Sequence, residues 1–272
     1  MLAALMVAML TALLAVPAKG QSWQTHDDHD WCDTKGSTRY CEVREVTLAG
    51  RDDLSLTAVN GSITVEAWEG DEIRVLARIQ VKGDDAEEVA GDVKIHTEDG
   101  EVYASGPRKN NKGWSKMFGG GDRAWRVSYR VMVPNEIELA VKTTNGSIAI
   151  TGVDGDIEFN TTNGGVKVYD AGGDVEGSTT NGGVYVGLDP GDWDGDSVDL
   201  HTTNGGIELE LPREIDARIE ARTTNGGVRV AHPVTIEKSS RTRLNGTIGD
   251  GSKALLRCRT TNGGVSFTRA DV

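Results

Sequence analysis

The sequence predicts an all-β protein: a parallel β-solenoid, β-helix or β-roll-like, of about 18–23 residues per coil, with a short helix and a β-rich N-terminal portion. Three observations carry this. Thr-Thr-Asn-Gly recurs with its Asn at positions 145, 163, 181, 204, 225 and 262. Apolar and polar residues alternate on both sides of every copy. The copies are near-identical, which favours a stack of like coils, each coil burying a face its own residues cannot cover.

The first element is a leader. Leu2 to Val16 is apolar apart from Thr11, and Pro17, Ala18, Lys19 and Gly20 follow. An apolar run of that length before small residues reads as a signal peptide, residues 1–20, not as a membrane span. No Lys or Arg precedes the run; a start further upstream or the amino terminus itself would supply the charge. No Cys follows it and no later stretch is apolar enough to span, so the mature chain is expected not to be integral to a membrane. The net charge is −13, and loss of Lys19 makes it one unit more negative. Such a chain lacks the basic field that nucleic acid binding needs.

Residues 21–45 read as a polar arm that includes His26, Asp27, Asp28, His29 and Asp30. Imidazole beside carboxylate suits a transition metal, but the spacing is not that of a closed zinc site, and an acidic arm is the plainer reading. Cys32 and Cys41 are nine positions apart, and an exported chain predicts a local disulfide between them. Residues 46–135 read as a β-rich part. It holds strand-like runs and a helix near 84–90 opened by Asp84, Asp85, Glu87 and Glu88, whose charges suit a helix N-terminus. It also holds an exposed loop over 105–124.

Residues 136–270 are the repeats. Before each turn one face carries Leu139, Val141, Thr143; Ile157, Phe159, Thr161; Val175, Gly177, Thr179; Val198, Leu200, Thr202; Ile219, Ala221, Thr223; and Leu256, Cys258, Thr260. After each turn come pairs such as Ile148 and Ile150, or Val166 and Val168. Period two with β-branched residues means strands with one buried face. The structural turns are Asn145-Gly146, Asn163-Gly164, Asn181-Gly182, Asn204-Gly205, Asn225-Gly226 and Asn262-Gly263. Asn-Gly between alternating strands is also the strongest hairpin signal, so an antiparallel meander is the competing fold. Stacking would align Asn on Asn at about 4.8 Å and allow an amide ladder, which a meander would not use. Asn and Gly are further expected to supply left-handed backbone at the corner. The spacings are 18, 18, 23, 21 and 37; the last suggests two coils with Asn245-Gly246 as a worn copy. Asn60-Gly61-Ser62-Ile63 is an outlying copy, and Asp99-Gly100 a fainter one. Cys258 takes a core position as a small hydrophobe.

The residues Val131-Met132-Val133-Pro134, Leu139 through Ile148, Gly152-Val153-Asp154-Gly155-Asp156-Ile157 and the repeated Thr-Thr-Asn-Gly-Gly-Val carry a resemblance. Over roughly residues 45 to 269 the chain resembles the bacterial "putative adhesin" family of β-strand repeats, a domain of unknown function in exported and envelope proteins. The resemblance implies a single-chain parallel β-solenoid at the cell envelope with no established catalytic residues.

Candidate sites lie on outward positions. Ala140, Glu158, Glu176, Asp199, Glu220 and Arg257 form one column, whose carboxylates would repel unless cations or water screen them. The bland reading, a solvated face paired to Lys142 and Arg222, is preferred. Asp192, Asp194 and Asp196 alternate as in a calcium loop but lack its glycine and closing Glu, so a polar corner is preferred to a metal site. Arg108, Lys109, Lys112, Trp114, Lys116 and Phe118 form a basic, aromatic loop, a candidate partner surface or a mere insertion. No nucleophile motif, carboxylate pair or phosphate loop is evident, and no cofactor is expected. The expected function is an exported, non-enzymatic, adhesin-like scaffold in the periplasm or at the surface, binding a glycan or an envelope protein. The alternatives are a carbohydrate-active enzyme on a β-helix and a stress-linked envelope accessory protein.

Overall fold

The computed structural model describes residues 23–26, 31–32, 38–107, 125–191 and 193–270. The leader expected over residues 1–20 lies outside them. In chain order the elements begin with β1 (Gln24–His26), β2 (Thr38–Leu48), β3 (Asp53–Asn60), β4 (Ile63–Trp68) and β5 (Ile73–Lys82). Next come α1 (Ala86–Gly91), β6 (Lys94–Glu98), β7 (Glu101–Ser105) and β8 (Trp125–Pro134). The repeats supply β9 (Glu138–Asn145), β10 (Ile148–Thr151), β11 (Ile157–Asn163), β12 (Val166–Ala171), β13 (Val175–Asn181), β14 (Val184–Leu188), β15 (Ser197–Asn204) and β16 (Ile207–Leu211). The chain ends with β17 (Ala217–Asn225), β18 (Val228–Val230), β19 (Thr235–Ser240), β20 (Arg243–Ile248), β21 (Ala254–Asn262) and β22 (Val265–Arg269).

Each coil contributes one strand to each of two facing 11-stranded sheets, and the repeats stack in parallel. The first sheet runs β1-β2-β5-β8-β4-β10-β12-β14-β16-β22-β18. The second runs β19-β20-β17-β21-β15-β13-β11-β9-β3-β7-β6. The inward residues of both sheets form one continuous core, from Val46 and Ile73 at the near end to Phe267 and Ile219 at the far end. Gly177 stands where neighbouring coils carry Phe159 and Leu200, because a Cβ there would run into the Phe159 ring. Cys258 is a free, buried thiol between Leu200 and Ala221, and burial pushes its pKa up, so it stays protonated.

The corner explains the tetrapeptide residue by residue. The first Thr points inward, and its Oγ1 donates to the carbonyl of the corner Gly one coil away. Thr161 bonds Gly146 O at 3.3 Å, Thr179 bonds Gly164 O at 3.1 Å, and Thr202 bonds Gly182 O at 3.0 Å. The Asn side chains form the amide ladder, Nδ2 to Oδ1, at 2.8–2.9 Å through Asn60, Asn145, Asn163, Asn181, Asn204, Asn262 and Asn225. The Gly after Asn is required by close approach: a Cβ on Gly164 would overlap the Gly146 carbonyl, and one on Gly182 the Gly164 carbonyl. The expectation of left-handed backbone here is corrected. Positive φ falls elsewhere, at Gly152 (71°) in a second corner and at Asp170 (52°) at the irregularity within β12. Second corners are tied by carboxylates: Asp156 Oδ1 accepts from Asp174 N at 3.0 Å, and Asp174 Oδ1 from Ser197 N at 2.9 Å.

Two of the expected outlying copies are not corners of the stack. Asn245-Gly246 lies inside β20, which pairs antiparallel with β17 and β19, so the interval of 37 is a capping hairpin and not a worn coil. Asp99-Gly100 is a true hairpin turn between β6 and β7, with φ of 50° and 79°, as the mirror-image turn demands. Asn60, by contrast, does join the stack, in register with Asn145.

Coil order also departs from chain order. The coil β21–β22 lies between β15–β16 and β17–β18. At the near end β3–β4 lies between β9–β10 and the outer pair β7 and β8. The first and last repeat coils are therefore both internal to the stack, each covered by a more central segment of the chain.

The segment read as a polar arm is partly strand. β2 begins at Thr38 and pairs antiparallel with β5. Its charges mask it because they are partnered: Arg44 donates to Val93 O and Ala90 O at the end of α1, and Glu45 pairs with Arg74. The helix is Ala86–Gly91, overlapping the segment expected near 84–90, and buries Ala86, Val89 and Ala90. Cys32 and Cys41 are disulfide-bonded with Cα atoms 5.7 Å apart. This places Trp31 against Val43, Leu76 and Met132, with the Arg130 and Arg78 guanidinium groups 4.2 and 4.9 Å from its ring.

Three outcomes follow from this architecture. Thr179→Val is expected to cost about 1–3 kcal/mol in urea unfolding, because the Gly164 carbonyl loses its donor, whereas exposed Thr180→Val is expected to cost about 0.5 kcal/mol or less. Ending the chain at Lys253 should open residues 217–253 to limited proteolysis while residues 38–104 and 125–188 stay protected; continued protection of 217–230 would show that this coil restacks on β15–β16. Burial and the Arg269 charge lower the pKa of His232, which is 7% exposed. The unfolded chain therefore takes up that proton first as pH falls, so stability is present above about 6.5 and declines below it. Replacing His232 with Gln should flatten the fall in melting temperature between pH 7 and 5.

Candidate functional site

A groove of about 1280 Å³ runs along the outer surface of the first sheet, across the repeat coils. Its floor is the residue after each corner Gly: Ser147, Gly165, Gly183, Gly206, Gly264 and Gly227. These glycines differ from their neighbours in one respect. A Cβ on Gly165 or Gly183 would have its nearest heavy atom at 3.6 Å, an ordinary contact. Ser147 and Ser62 occupy the same position in their coils, with a hydroxyl–hydroxyl hydrogen bond of 3.2 Å between them. Steric need accounts for the first glycine of each pair but not for Gly165, Gly183 or Gly227; at Gly264 a Cβ would press on the Gly227 carbonyl oxygen at 3.3 Å. The floor lies flat across six coils, about 24 Å at the usual strand spacing.

The wall is the outward row two positions on: Ala149, Lys167, Tyr185, Glu208, Ser266 and Arg229, with Arg241 at the far end. Tyr185 packs against Tyr169 at 5.1 Å between ring centroids. Burial and the nearby Glu210 carboxylate push its pKa up to about 12, so it remains a neutral hydrogen-bonding phenol. The groove thus offers an aromatic face, charges of both signs and a smooth floor. Among the described residues it presents no nucleophile beside a base and no facing carboxylate pair. The sequence does not single out this row, because the signature residues Thr-Thr-Asn lie on the strands before each turn. The signal was available: Gly-Gly in the later copies against Gly-Ser in the earlier ones.

The predicted outward column changes meaning in the fold. Its spatial order is Ala140, Glu158, Glu176, Asp199, Arg257, Glu220, because β21 is interleaved. Arg257 bonds Asp199 at 3.0 Å and Glu220 at 3.3 Å, and Lys142 pairs with Glu158 at 3.2 Å. Among the described residues the expected pairing to Arg222 is absent; β21 supplies the cation, Arg257. Asp194 and Asp196 sit in the long second corner, where their backbone N–H groups bond Gly172 O and Asp174 Oδ1 and Trp193 Nε1 bonds Gly173 O. Asp192 lies outside the described residues. Among the described residues no group of three or more His, Cys, Asp or Glu side chains is placed to hold a metal. The candidate partner loop Arg108, Lys109, Lys112, Trp114, Lys116 and Phe118, and Asp27 to Asp30 of the arm, also lie outside the described residues. Among the described residues no helix is long and apolar enough to cross a membrane.

No curated protein matches the sequence. Among solved structures, the chain is similar to one described as a putative cell adhesion protein from Clostridium sporogenes ATCC 15579. The identity is 14%, the match covers 85% of this chain and 99% of that one, and the TM-score is 0.46. It is similar to a putative adhesin from Bacteroides fragilis NCTC 9343, at 11% identity, 86% and 99% coverage and a TM-score of 0.39. It is also similar to a putative lipid binding protein from Parabacteroides distasonis ATCC 8503, at 11% identity, 86% and 98% coverage and a TM-score of 0.31. The profile of the family described as Toastrack DUF4097 matches residues 50–268, well over half of the chain. With its two-sheet stack of parallel coils, the chain belongs to the Toastrack DUF4097 family.

Proposed function

We propose that the protein is an exported, non-enzymatic scaffold at the cell envelope whose stacked face binds an extended glycan along the glycine-floored groove. The observation that carries this is the second glycine of the Gly-Gly pairs at Gly165, Gly183 and Gly227. Packing does not demand it there, yet these residues keep a channel open beside Tyr185. An extended polymer fits a long open groove better than a small molecule, which favours an enclosing pocket. Tyr185 offers a stacking face and a phenol; Lys167, Glu208 and Arg229 offer polar contacts at successive coils. Export is supported by the apolar run Leu2 to Val16 and by the Cys32–Cys41 bridge, which an oxidising compartment sustains. A carbohydrate-active enzyme would need a positioned acid and base, and the groove wall supplies one carboxylate, Glu208, beside the hydrogen-bonded pair Tyr185 and Glu210.

A glycan array read together with reducing-sugar release separates these roles. Binding without release of reducing ends is the expected result; release on the bound glycan would establish the enzyme. Gly183→Leu should fill the channel, weaken binding of the array hit at least tenfold, and leave the melting temperature close to that of the parent. Binding unchanged in that variant would remove the groove from the proposal, and capture of an envelope protein with no glycan bound would replace the ligand class.

A further inference from the structure

A second surface stands apart from the groove, on the outer face of the other sheet at the far end of the stack. The row beside the Asp199–Arg257–Glu220 column reads His201, Arg259, Arg222, Arg243 on four successive strands. At a strand spacing of about 4.8 Å these groups are immediate neighbours, and like charges directly opposite one another destabilise a sheet. The adjacent column avoids that cost by alternating acid, base and acid, with Arg257 bonded to both carboxylates. The basic row does not. Arg259 Nη1 reaches Asp199 at 3.2 Å, but among the described residues Arg222 and Arg243 form no ion pair. Carboxylates are not scarce in this chain: it has 42 Asp and Glu against 29 Lys and Arg.

The capping hairpin completes the surface. Ser240 of β19 lies opposite Arg243 of β20. A hollow of about 360 Å³ is lined there by Arg222, Thr224, Lys238, Ser240, Thr242 and Arg243, with Thr223 beneath. Every lining side chain can donate a hydrogen bond, and none is a carboxylate. Guanidinium forks beside hydroxyl donors match the tetrahedral oxygens of a phosphoryl group, which Arg binds in bidentate fashion. The overall charge of −13 would repel such a group, so its attraction has to be local. We propose that Arg222 and Arg243, with Lys238 and the hydroxyls of Thr224, Ser240 and Thr242, form a binding site for a phosphate-class oxyanion. The site lies on a different sheet from the groove and does not depend on the glycan reading.

The test is thermal melting of the full chain at low ionic strength, in phosphate and in chloride matched for ionic strength, with the Arg222→Gln, Arg243→Gln double variant alongside. The parent should gain more in phosphate than in chloride. The variant should show no such excess, weaken phosphate binding at least tenfold, and melt in phosphate-free buffer at or above the parent, because a repulsion is gone. Arg222→Lys with Arg243→Lys, which keeps the charge but loses the forks, should fall between. Cosedimentation with phosphatidylglycerol vesicles, against phosphatidylcholine alone, then identifies the source. Vesicle binding lost in the double variant makes it a lipid headgroup; phosphate binding without vesicle binding makes it a soluble phosphate. Equal shifts in phosphate and chloride with no vesicle binding, or binding retained by the double variant, would overturn the site.

Discussion

The fold depends on one contact made again at every coil: the inward Thr hydroxyl donating to the corner Gly carbonyl one coil away. A coil of about 18 residues encloses only a few apolar side chains, too few to hold two sheets together on their own. What it lacks in core it replaces with regular, fully used polar groups at the corner. The Thr hydroxyl supplies a donor to the part-buried carbonyl of the corner Gly. The Asn amides run as one chain beside it, and the glycine lets the backbones approach closely enough for both. The three residue types serve a single packing event, so none can change alone without affecting the others. This is why the signature recurs with so little variation, and why it marks architecture more than ligand.

Such a code says that two coils stack but not which two. Every copy presents the same hydroxyl, amide and carbonyl, so the corner alone would accept any coil beside any other. Selection falls to the variable positions. Placing β17 directly on β15 would set Glu220 against Asp199; interposing β21 puts Arg257 between them. The core row agrees, since Cys258 fits between Leu200 and Ala221. Uniform corners give stability, and non-uniform outward charges give order, a division of labour expected wherever like units must assemble in one sequence.

This division also accounts for what could be read in advance. The parallel stack, the buried Thr, the amide ladder, the short helix and the place of Cys258 follow from local pattern, because identical residues meet identical residues whichever coil comes next. The coil order does not follow, because it rests on pairings such as Asp199 with Arg257 that are 58 positions apart. Asn245-Gly246 misleads for the same reason: two residues of the signature, without the Thr pair, carry no information about whether the strand opposite is parallel or antiparallel. Among surface features, the charged columns could be tabulated from the sequence but not put in order. The groove is not legible in the sequence, since both glycines of a pair fit a corner equally well there and only the space around Gly165 and Gly183 in the fold sets the second apart from the first.

The interleaving at both ends has a bearing on how the protein is made. A polypeptide emerges from the ribosome N-terminal end first. Most coils of this stack can settle as they arrive. The coil β17–β18 cannot take its final place on arrival, because its neighbour, residues 254–269, has yet to be delivered. It must wait, with its corner groups unpaired, through the hairpin that follows. Residues 254–269 then close the structure from within, so a molecule interrupted before they are made would be marked by one dangling coil.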